Sequence, residues 1–307
     1  MNVFETSANG NLHAVKKDVK KSEQHSTVSI NTKKRRQTII GFGGAFTEST
    51  AHNINLLSPE NRTEIIDAYF GEEGAAYSLT RTHMNSCDFS VANYSYTPVE
   101  GDTALEHFSI DPDRTDILPM IKDAQAVSKE GFKIFGSPWT AAPWMKDNNN
   151  YVGGKLKKEY YDTWALFFSK YVDAYREEGI DIWGFTVENE PYGNGNNWES
   201  MHYSPEEMTD FVVNHLGPQL EADGKGDLVI MGYDQNRQGV PEWADVMYRD
   251  DTTKRYYDGM AVHWYESTYD YFPDMLDYAR NAAPEKILLQ TEACLDHQGP
   301  VLIDDTW

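Results

Sequence analysis

From about residue 38 onward, short apolar runs rich in β-branched residues alternate with amphipathic helical stretches. This rhythm constrains the fold more than any other feature of the chain. Strand-like runs fall at residues 38–42 (with 46 as a possible end), 77–83, 133–137, 182–187, 228–233, 260–264 and 286–291. The helical patterns between them carry their own start signals. Ser58-Pro59 supplies an N-cap and a proline at the first helical position, ahead of residues 60–70. Ser204 and Glu207 have the spacing of a capping box ahead of residues 208–216. Residues 155–178 carry Tyr161, Trp164, Phe168, Tyr171 and Tyr175 on one broad apolar face, ended by Gly179.

Strands alternating with helices build right-handed βαβ units and a parallel sheet. A doubly wound sheet and a barrel both fit. The barrel is favoured because polar and aromatic residues sit at the C-terminal end of nearly every strand, where barrel enzymes assemble their sites. A doubly wound sheet would gather its chemistry at one switch point, usually with a glycine-rich phosphate loop. Gly41-Phe42-Gly43-Gly44 does not open such a helix. The expected fold is therefore an α/β, (β/α)8 TIM barrel. The chain stops at Trp307, just after the seventh strand, so the eighth unit is expected to be missing from it. Residues 1–37 break the rhythm. Runs at 3–6, 13–15 and 27–30 look like short antiparallel strands of a small N-terminal β accessory segment. The expected organisation is 1–37 as a small accessory β layer and 38–307 as an incomplete barrel domain.

Composition narrows the function. The chain has 27 Lys+Arg against 49 Asp+Glu, a net charge of −22 over 307 residues, which argues against a phosphate-backbone ligand. No nucleic-acid partner is expected, and Lys33-Lys34-Arg35-Arg36 reads as a solvated turn. No window approaches 18 consecutive apolar residues, so no membrane span is expected. The first thirty residues lack the apolar core of a signal peptide. As given, the chain reads as cytoplasmic; a trimmed secreted or periplasmic protein would look the same. Two cysteines, Cys87 and Cys294, have no metal-type spacing and read as buried thiols. Oligomeric state is not legible.

The chemistry concentrates at two strand ends. Gly184-Phe185-Thr186-Val187-Glu188-Asn189-Glu190-Pro191 closes the fourth strand, and Leu288-Leu289-Gln290-Thr291-Glu292-Ala293-Cys294 closes the seventh. The ends of strands four and seven face each other across a barrel mouth. Two carboxylates across a pocket are what glycoside hydrolysis needs. Glu188 lies two residues before Glu190, and one of the two reads as an ion-pair partner for an arginine. Aromatic residues cluster beside the carboxylates, including Trp139, Trp144, Tyr192, Trp198, Trp264 and Tyr265. Their flat apolar faces and polar rims suit sugar rings.

Further segments complete a pattern: Gly41-Phe42-Gly43-Gly44-Ala45-Phe46-Thr47-Glu48, Arg81-Thr82-His83-Met84-Asn85-Ser86-Cys87-Asp88-Phe89-Ser90, Ser137-Pro138-Trp139-Thr140-Ala141-Ala142-Pro143-Trp144-Met145-Lys146 and His263-Trp264-Tyr265. With the two glutamate segments, they resemble in order glycoside hydrolase family 30, the glucosylceramidase-like retaining β-glycosidases. The resemblance covers the chain from about residue 37 to its end. It implies Glu190 as general acid/base and Glu292 as nucleophile. It implies Asp88, Trp139 and Asn189 as the wall holding the terminal sugar, with Arg81 and Tyr265 close to the nucleophile. A binding role is weighed more weakly for His83 and His263, which read as core histidines hydrogen-bonded to backbone. The resemblance also pairs the barrel with a β-sandwich built from both ends of the chain, so this chain reads as a piece of a longer enzyme.

The leading expectation is a retaining β-glycosidase acting on β-glucosidic bonds of a glucosylceramide-like or β-1,6-glucan substrate, with a carbohydrate or glycolipid partner and no cofactor or metal. The alternatives are a non-catalytic carbohydrate-binding remnant and, more weakly, a metal-dependent barrel hydrolase. Double displacement requires carboxyl groups about 5–5.5 Å apart. It also requires Glu190 to hold a proton while Arg81 and Tyr265 keep Glu292 ionised.

Overall fold

The computed structural model describes residues 27–193, 197–267 and 270–294, together with the backbone of residues 3–7 and 10–15. Two units separate: residues 40–293, and a second formed by 1–39 with 294–307.

In the second unit, β1 (Val3–Ser7) and β2 (Gly10–Val15) pair antiparallel. They match the expected accessory strands, lengthened at the turn. Residues 27–30, expected as a third strand, form no strand among the described residues.

The larger unit holds one sheet of seven strands in sequential order, every neighbouring pair parallel. They are β3 (Ala45–Phe46), β4 (Leu79–Met84), β5 (Lys133–Pro138), β6 (Gly184–Thr186), β7 (Val229–Asn236), β8 (Gly259–His263) and β9 (Ile287–Glu292). Six lie where the apolar runs put them. The first keeps only the far end of its run, at the possible limit of residue 46: residues 38–42 form no ladder, and ladder pairing begins at Ala45. The glycines explain the shift. A Cβ on Gly43 would stand 1.8 Å from the Leu79 carbonyl oxygen, so this segment presses onto β4 more closely than any side-chain-bearing strand could.

The sheet is rolled, as a barrel requires. On a flat sheet, β4 and β9 would lie about 24 Å apart, five strand spacings. Instead Arg81 on β4 reaches Glu292 on β9 at 2.7 Å.

Helices cover the outside of the sheet. Ser58 caps Pro59–Phe70 by accepting from the Asn61 backbone N–H. Ser204 and Glu207 make the full capping box at Pro205–Phe211, which runs on through a π-helical turn at Val212–Leu216. The longest helix is Tyr161–Glu177, starting later than its pattern suggested because a 3-10 turn at Lys158–Tyr160 precedes it. Its apolar face buries Trp164, Phe167, Phe168, Tyr171 and Tyr175 against Tyr96 and Phe185. Each such side chain contributes about 1.5–3 kcal/mol of burial. Gly179 ends the run with φ +78°. Among the described residues, no helix is long and apolar enough to cross a membrane.

Candidate active site

The C-terminal ends of the strands converge on Arg81, which is almost fully buried. Its Nη1 donates to Glu292 Oε2 at 2.7 Å, and its Nη2 to Asp234 Oδ2 at 2.7 Å and Asn189 Oδ1 at 2.9 Å. Nε donates to Ser137 Oγ at 2.9 Å. A single guanidinium therefore ties together β4, β5, β7, β9 and the segment after β6. Only arginine has enough donors in fixed directions for this. Burial alone would lower the Arg81 pKa, but Asp234 and Glu292 reverse that and raise it. The cation is permanent. Its outer face lies 4.7 Å from the centre of the Trp139 ring, which closes one side of the site.

Glu292 ends β9 and stays about one-sixth exposed toward the barrel mouth. Its second oxygen, Oε1, accepts from the Tyr265 hydroxyl at 2.9 Å. Both carboxylate oxygens are thus engaged by donors.

Glu190 follows β6 with φ +49°, in the left-handed region that costs a non-glycine residue about 1–3 kcal/mol. The segment around it is pinned: Asn189 N–H donates to Pro138 O at 2.8 Å, and Glu190 N–H to Asp234 O at 3.0 Å. Asn85 and Asp234, at the ends of β4 and β7, share the same left-handed conformation, with φ +61° and +60°. Backbone strain gathers where the strands end, as it does at functional sites. A carboxylate oxygen of Glu190, a ring nitrogen of His263 and a carboxylate oxygen of Glu292 all lie within 4.8 Å of one another.

These three groups are close enough to hold a cation, yet the donor chemistry fits one poorly. His263 is wholly buried, with Nε2 3.0 Å from Asp234 Oδ1 and Nδ1 3.3 Å from Glu190 Oε1. Burial would lower its pKa, but Asp234 and Glu190 hold the proton and raise it to about 9. At neutral pH the ring is an imidazolium without a lone pair for a metal.

Comparison with known proteins now bears on this geometry. The sequence profile of the glycosyl hydrolase family 30 TIM-barrel domain matches residues 39–300. The chain belongs to glycoside hydrolase family 30. Putative glucosylceramidase 3 of Caenorhabditis elegans is 36% identical over 302 residues, covering 94% of this chain and 58% of the relative. Among solved structures, SrfJ from Salmonella typhimurium superimposes with a TM-score of 0.81 at 33% identity, covering 85% of this chain and 58% of that one. The endo-β1,6-glucanase BT3312 gives 0.79 at 31% identity, covering 87% and 60%. The chain thus spans little more than half the length of these relatives.

Within this family 30 barrel, the other sequence candidates sort by their surroundings. Asp88 sits in the loop after β4, in a turn where Cys87 Sγ accepts from Phe89 N–H at 3.4 Å and Cys87 N–H donates to Ser90 Oγ at 3.0 Å. Glu48 fastens the same loop by accepting from Val91 N–H at 3.0 Å. The Asp88 side chain keeps an exposed face, yet the surrounding loop and site residues desolvate its carboxyl in part. That desolvation, reinforced by Glu292, Glu190 and Glu199, raises its carboxyl from 3.8 to about 7. His83 is structural. Its Nδ1 lies 2.7 Å from Asn85 O and its Nε2 accepts from Glu48 N–H, and burial lowers its pKa to about 4. Trp144 is a core residue whose indole N–H donates to Thr97 O at 2.9 Å. Tyr192 braces a loop through Glu242 and Trp243.

Three expectations need correction. Among the described residues neither Glu188 nor Glu190 pairs with an arginine: Glu188 is fully buried with no hydrogen-bond partner there for either oxygen, and burial raises its carboxyl well above the usual range. The nearest compensating charge is Lys146, itself buried and donating to Thr140 Oγ1, Tyr151 O and Ser200 O. Cys294 is exposed rather than buried, because it follows an edge strand that is only half covered. His263 bonds carboxylates, not backbone.

Sequence reasoning missed Asp234. It follows the apolar run of β7, where a bulge between Tyr233 and Gln235 turns its side chain inward. A carboxylate just past an apolar barrel strand was the available signal.

Proposed function

We propose that this chain carries the catalytic centre of a retaining β-glycosidase acting on β-glucosidic bonds, with Glu292 as nucleophile and Glu190 as general acid/base. The observation that carries this reading is the approach of Glu190 and Glu292 to within 4.8 Å, oxygen to oxygen, at the ends of opposite strands. That spacing suits direct attack on the sugar and leaves little room for the intervening water of an inverting enzyme, whose carboxyl groups stand about 6.5–9.5 Å apart.

The residues suit the two steps. In the first, a Glu292 oxygen bonds to the anomeric carbon while Glu190 protonates the departing glycosidic oxygen. Arg81 and Tyr265 hold Glu292 aimed, each donating to its own oxygen. In the second step, Glu190 takes a proton from water, which attacks the anomeric carbon and releases Glu292. Asp88, Trp139 and Asn189 form the wall for the terminal sugar. Asp88 accepts its hydroxyls, Trp139 covers an apolar ring face, and Asn189 sits beside the acid/base. The names borne by relatives favour two substrate classes, a glucosylceramide-like glycolipid and a β-1,6-glucan. Residues 1–37 are assigned to an accessory β layer and 38–307 to the barrel domain.

Hydrolysis of 4-nitrophenyl β-D-glucoside, glucosylceramide and β-1,6-glucan by the longest protein the gene encodes, with and without EDTA, tests this reading. EDTA-insensitive turnover abolished in Glu292→Gln is expected. Sugar binding without turnover would favour the non-catalytic remnant, and loss of turnover in EDTA would favour a metal-dependent hydrolase.

A further inference from the structure

Asp234 occupies a place no substrate could reach: its side chain is fully buried beneath the two glutamates. Four groups close on it. Arg81 Nη2 and Thr186 Oγ1 lie 2.7 and 2.6 Å from Oδ2, and His263 Nε2 and Thr291 Oγ1 lie 3.0 and 2.5 Å from Oδ1. Two of these neighbours continue outward. Arg81 goes on to Glu292, and His263 goes on to Glu190.

We propose that Asp234 is a positioning residue that governs both carboxylates at once, anchoring Arg81 against Glu292 and orienting the His263 ring so that Nδ1 faces Glu190. The inference rests on the assignment of Glu190 and Glu292 as the reacting pair.

The first arm is geometric. Without an anion at Oδ2, one end of the guanidinium loses its anchor, and the other end holds Glu292 less firmly. The second arm concerns a proton. With Nε2–H given to Asp234, Nδ1 faces a carboxyl oxygen that alternates between the protonated and ionised forms during double displacement. When Glu190 is protonated, its carbonyl oxygen accepts from Nδ1–H. When Glu190 is ionised, a protonated Nδ1 donates to it. The buried anion below keeps Nδ1 protonated in both states. Burial would raise the Asp234 carboxyl, but Arg81, His263 and Thr186 hold it far below the usual range, so it remains an anion at every working pH. The other charged or titratable groups facing His263 are Glu292 on β9 and Tyr265, whose ring stands edge-on at 6.0 Å. Neither replaces Asp234 at Nε2.

The backbone supports a dedicated role. Tyr233 and Asp234 both adopt positive φ at the bulge in β7, an arrangement that aims Asp234 inward at a conformational cost.

The test uses the longest protein the gene encodes, labelled with 15N at histidine, and two variants. The imidazole nitrogens of wild-type His263 should titrate well above pH 7.5, and in Asp234→Asn at least one pH unit lower. In Asp234→Asn, kcat should fall at least tenfold more than KM changes, because Glu292 loses its aim. His263→Gln removes only the second arm. Taking a cation from beside a carboxyl makes ionisation harder. The alkaline limb of its kcat/KM profile should therefore move to higher pH, with the acid limb in place. Wild-type His263 titrating at or below pH 6.5 would overturn the proposal, even if Asp234→Asn does not fold. An unshifted alkaline limb in His263→Gln would also overturn it. A wild-type protein without turnover would sink the glycosidase reading instead, leaving the titration to decide the role of Asp234 on His263.

Discussion

Arg81 and Glu292 are 211 residues apart in sequence, yet their charged groups meet at 2.7 Å across the rolled sheet. The same guanidinium holds Asn189, Ser137 and Asp234, so replacing it with a point charge should disperse the whole site. Arg81→Lys is expected to keep the positive charge and leave Asn189 and Ser137 without their donor. Unsatisfied buried acceptors cost about 1–3 kcal/mol, which urea denaturation would register. Turnover should fall about 100-fold or more, the scale seen when one electrostatic stabiliser is lost. Unchanged turnover in Arg81→Lys would remove Arg81 from the catalytic account.

Two buried histidines should set the pH at which the fold is most stable. His83 has its pKa lowered to about 4, so its contribution is complete above about 6.5 and is lost as pH falls from there through 4. His263 has its pKa raised to about 9, so its contribution is complete below about 6.5 and is lost as pH rises through 9. Together they favour a maximum near pH 6.5. Unfolding free energies measured from pH 4 to 9 should show it. His83→Gln should flatten the acid side, and His263→Gln the alkaline side.

Asp88 exchanges stability for function. Its carboxyl is raised to about 7, so between about pH 4 and 7 the folded protein binds more protons than the unfolded chain, and stability falls as pH rises. Asp88→Asn should therefore raise Tm at pH 8 and leave it nearly unchanged at pH 4. Solvent screening limits the gain to less than about 2–4 °C, the shift 1 kcal/mol produces in a domain of this size. Glycosidase activity should fall in the same variant. A Tm gain equal at both pH values would show that the charge is not the cause.

The sheet has two outer edges, on β3 and β9, and neither pairs with another strand among the described residues. Phe42, beside the first edge, is 71% exposed, and Leu288 on the other is 37% exposed. Open parallel edges with apolar side chains are sites of association, and their exposure weighs against a typical stability of about 5–15 kcal/mol. The 307-residue chain expressed by itself should self-associate or melt without a sharp transition. Size-exclusion chromatography with light scattering, together with calorimetry, measures both. A monomer with a cooperative transition and full turnover would contradict this.

Much of the barrel was legible in the sequence because each strand is short, apolar and followed by an amphipathic helix. That local pattern has to satisfy the sheet and its cover at once. The start of the first strand escaped because Gly41, Gly43 and Gly44 carry no side chain, so periodicity says nothing about where they pair. Glu190 and Glu292 stood out because each ends an apolar run. Asp234 also follows such a run, but its role depends on a bulge and on partners from β4, β6, β8 and β9 that the order of residues does not show. The same holds for Glu188, whose isolation is a property of packing and leaves no mark in the order of residues.

The double-displacement account is tested most directly by trapping its covalent intermediate. The longest protein the gene encodes would be incubated with 2,4-dinitrophenyl 2-deoxy-2-fluoro-β-D-glucoside, digested and examined by mass spectrometry. The account predicts one fluoroglucosyl group per molecule, on the peptide containing Glu292, with inactivation at the same rate and no label in Glu292→Gln. Steady hydrolysis of activated glucosides without any labelled Glu292, and with an α-configured first product, would contradict it.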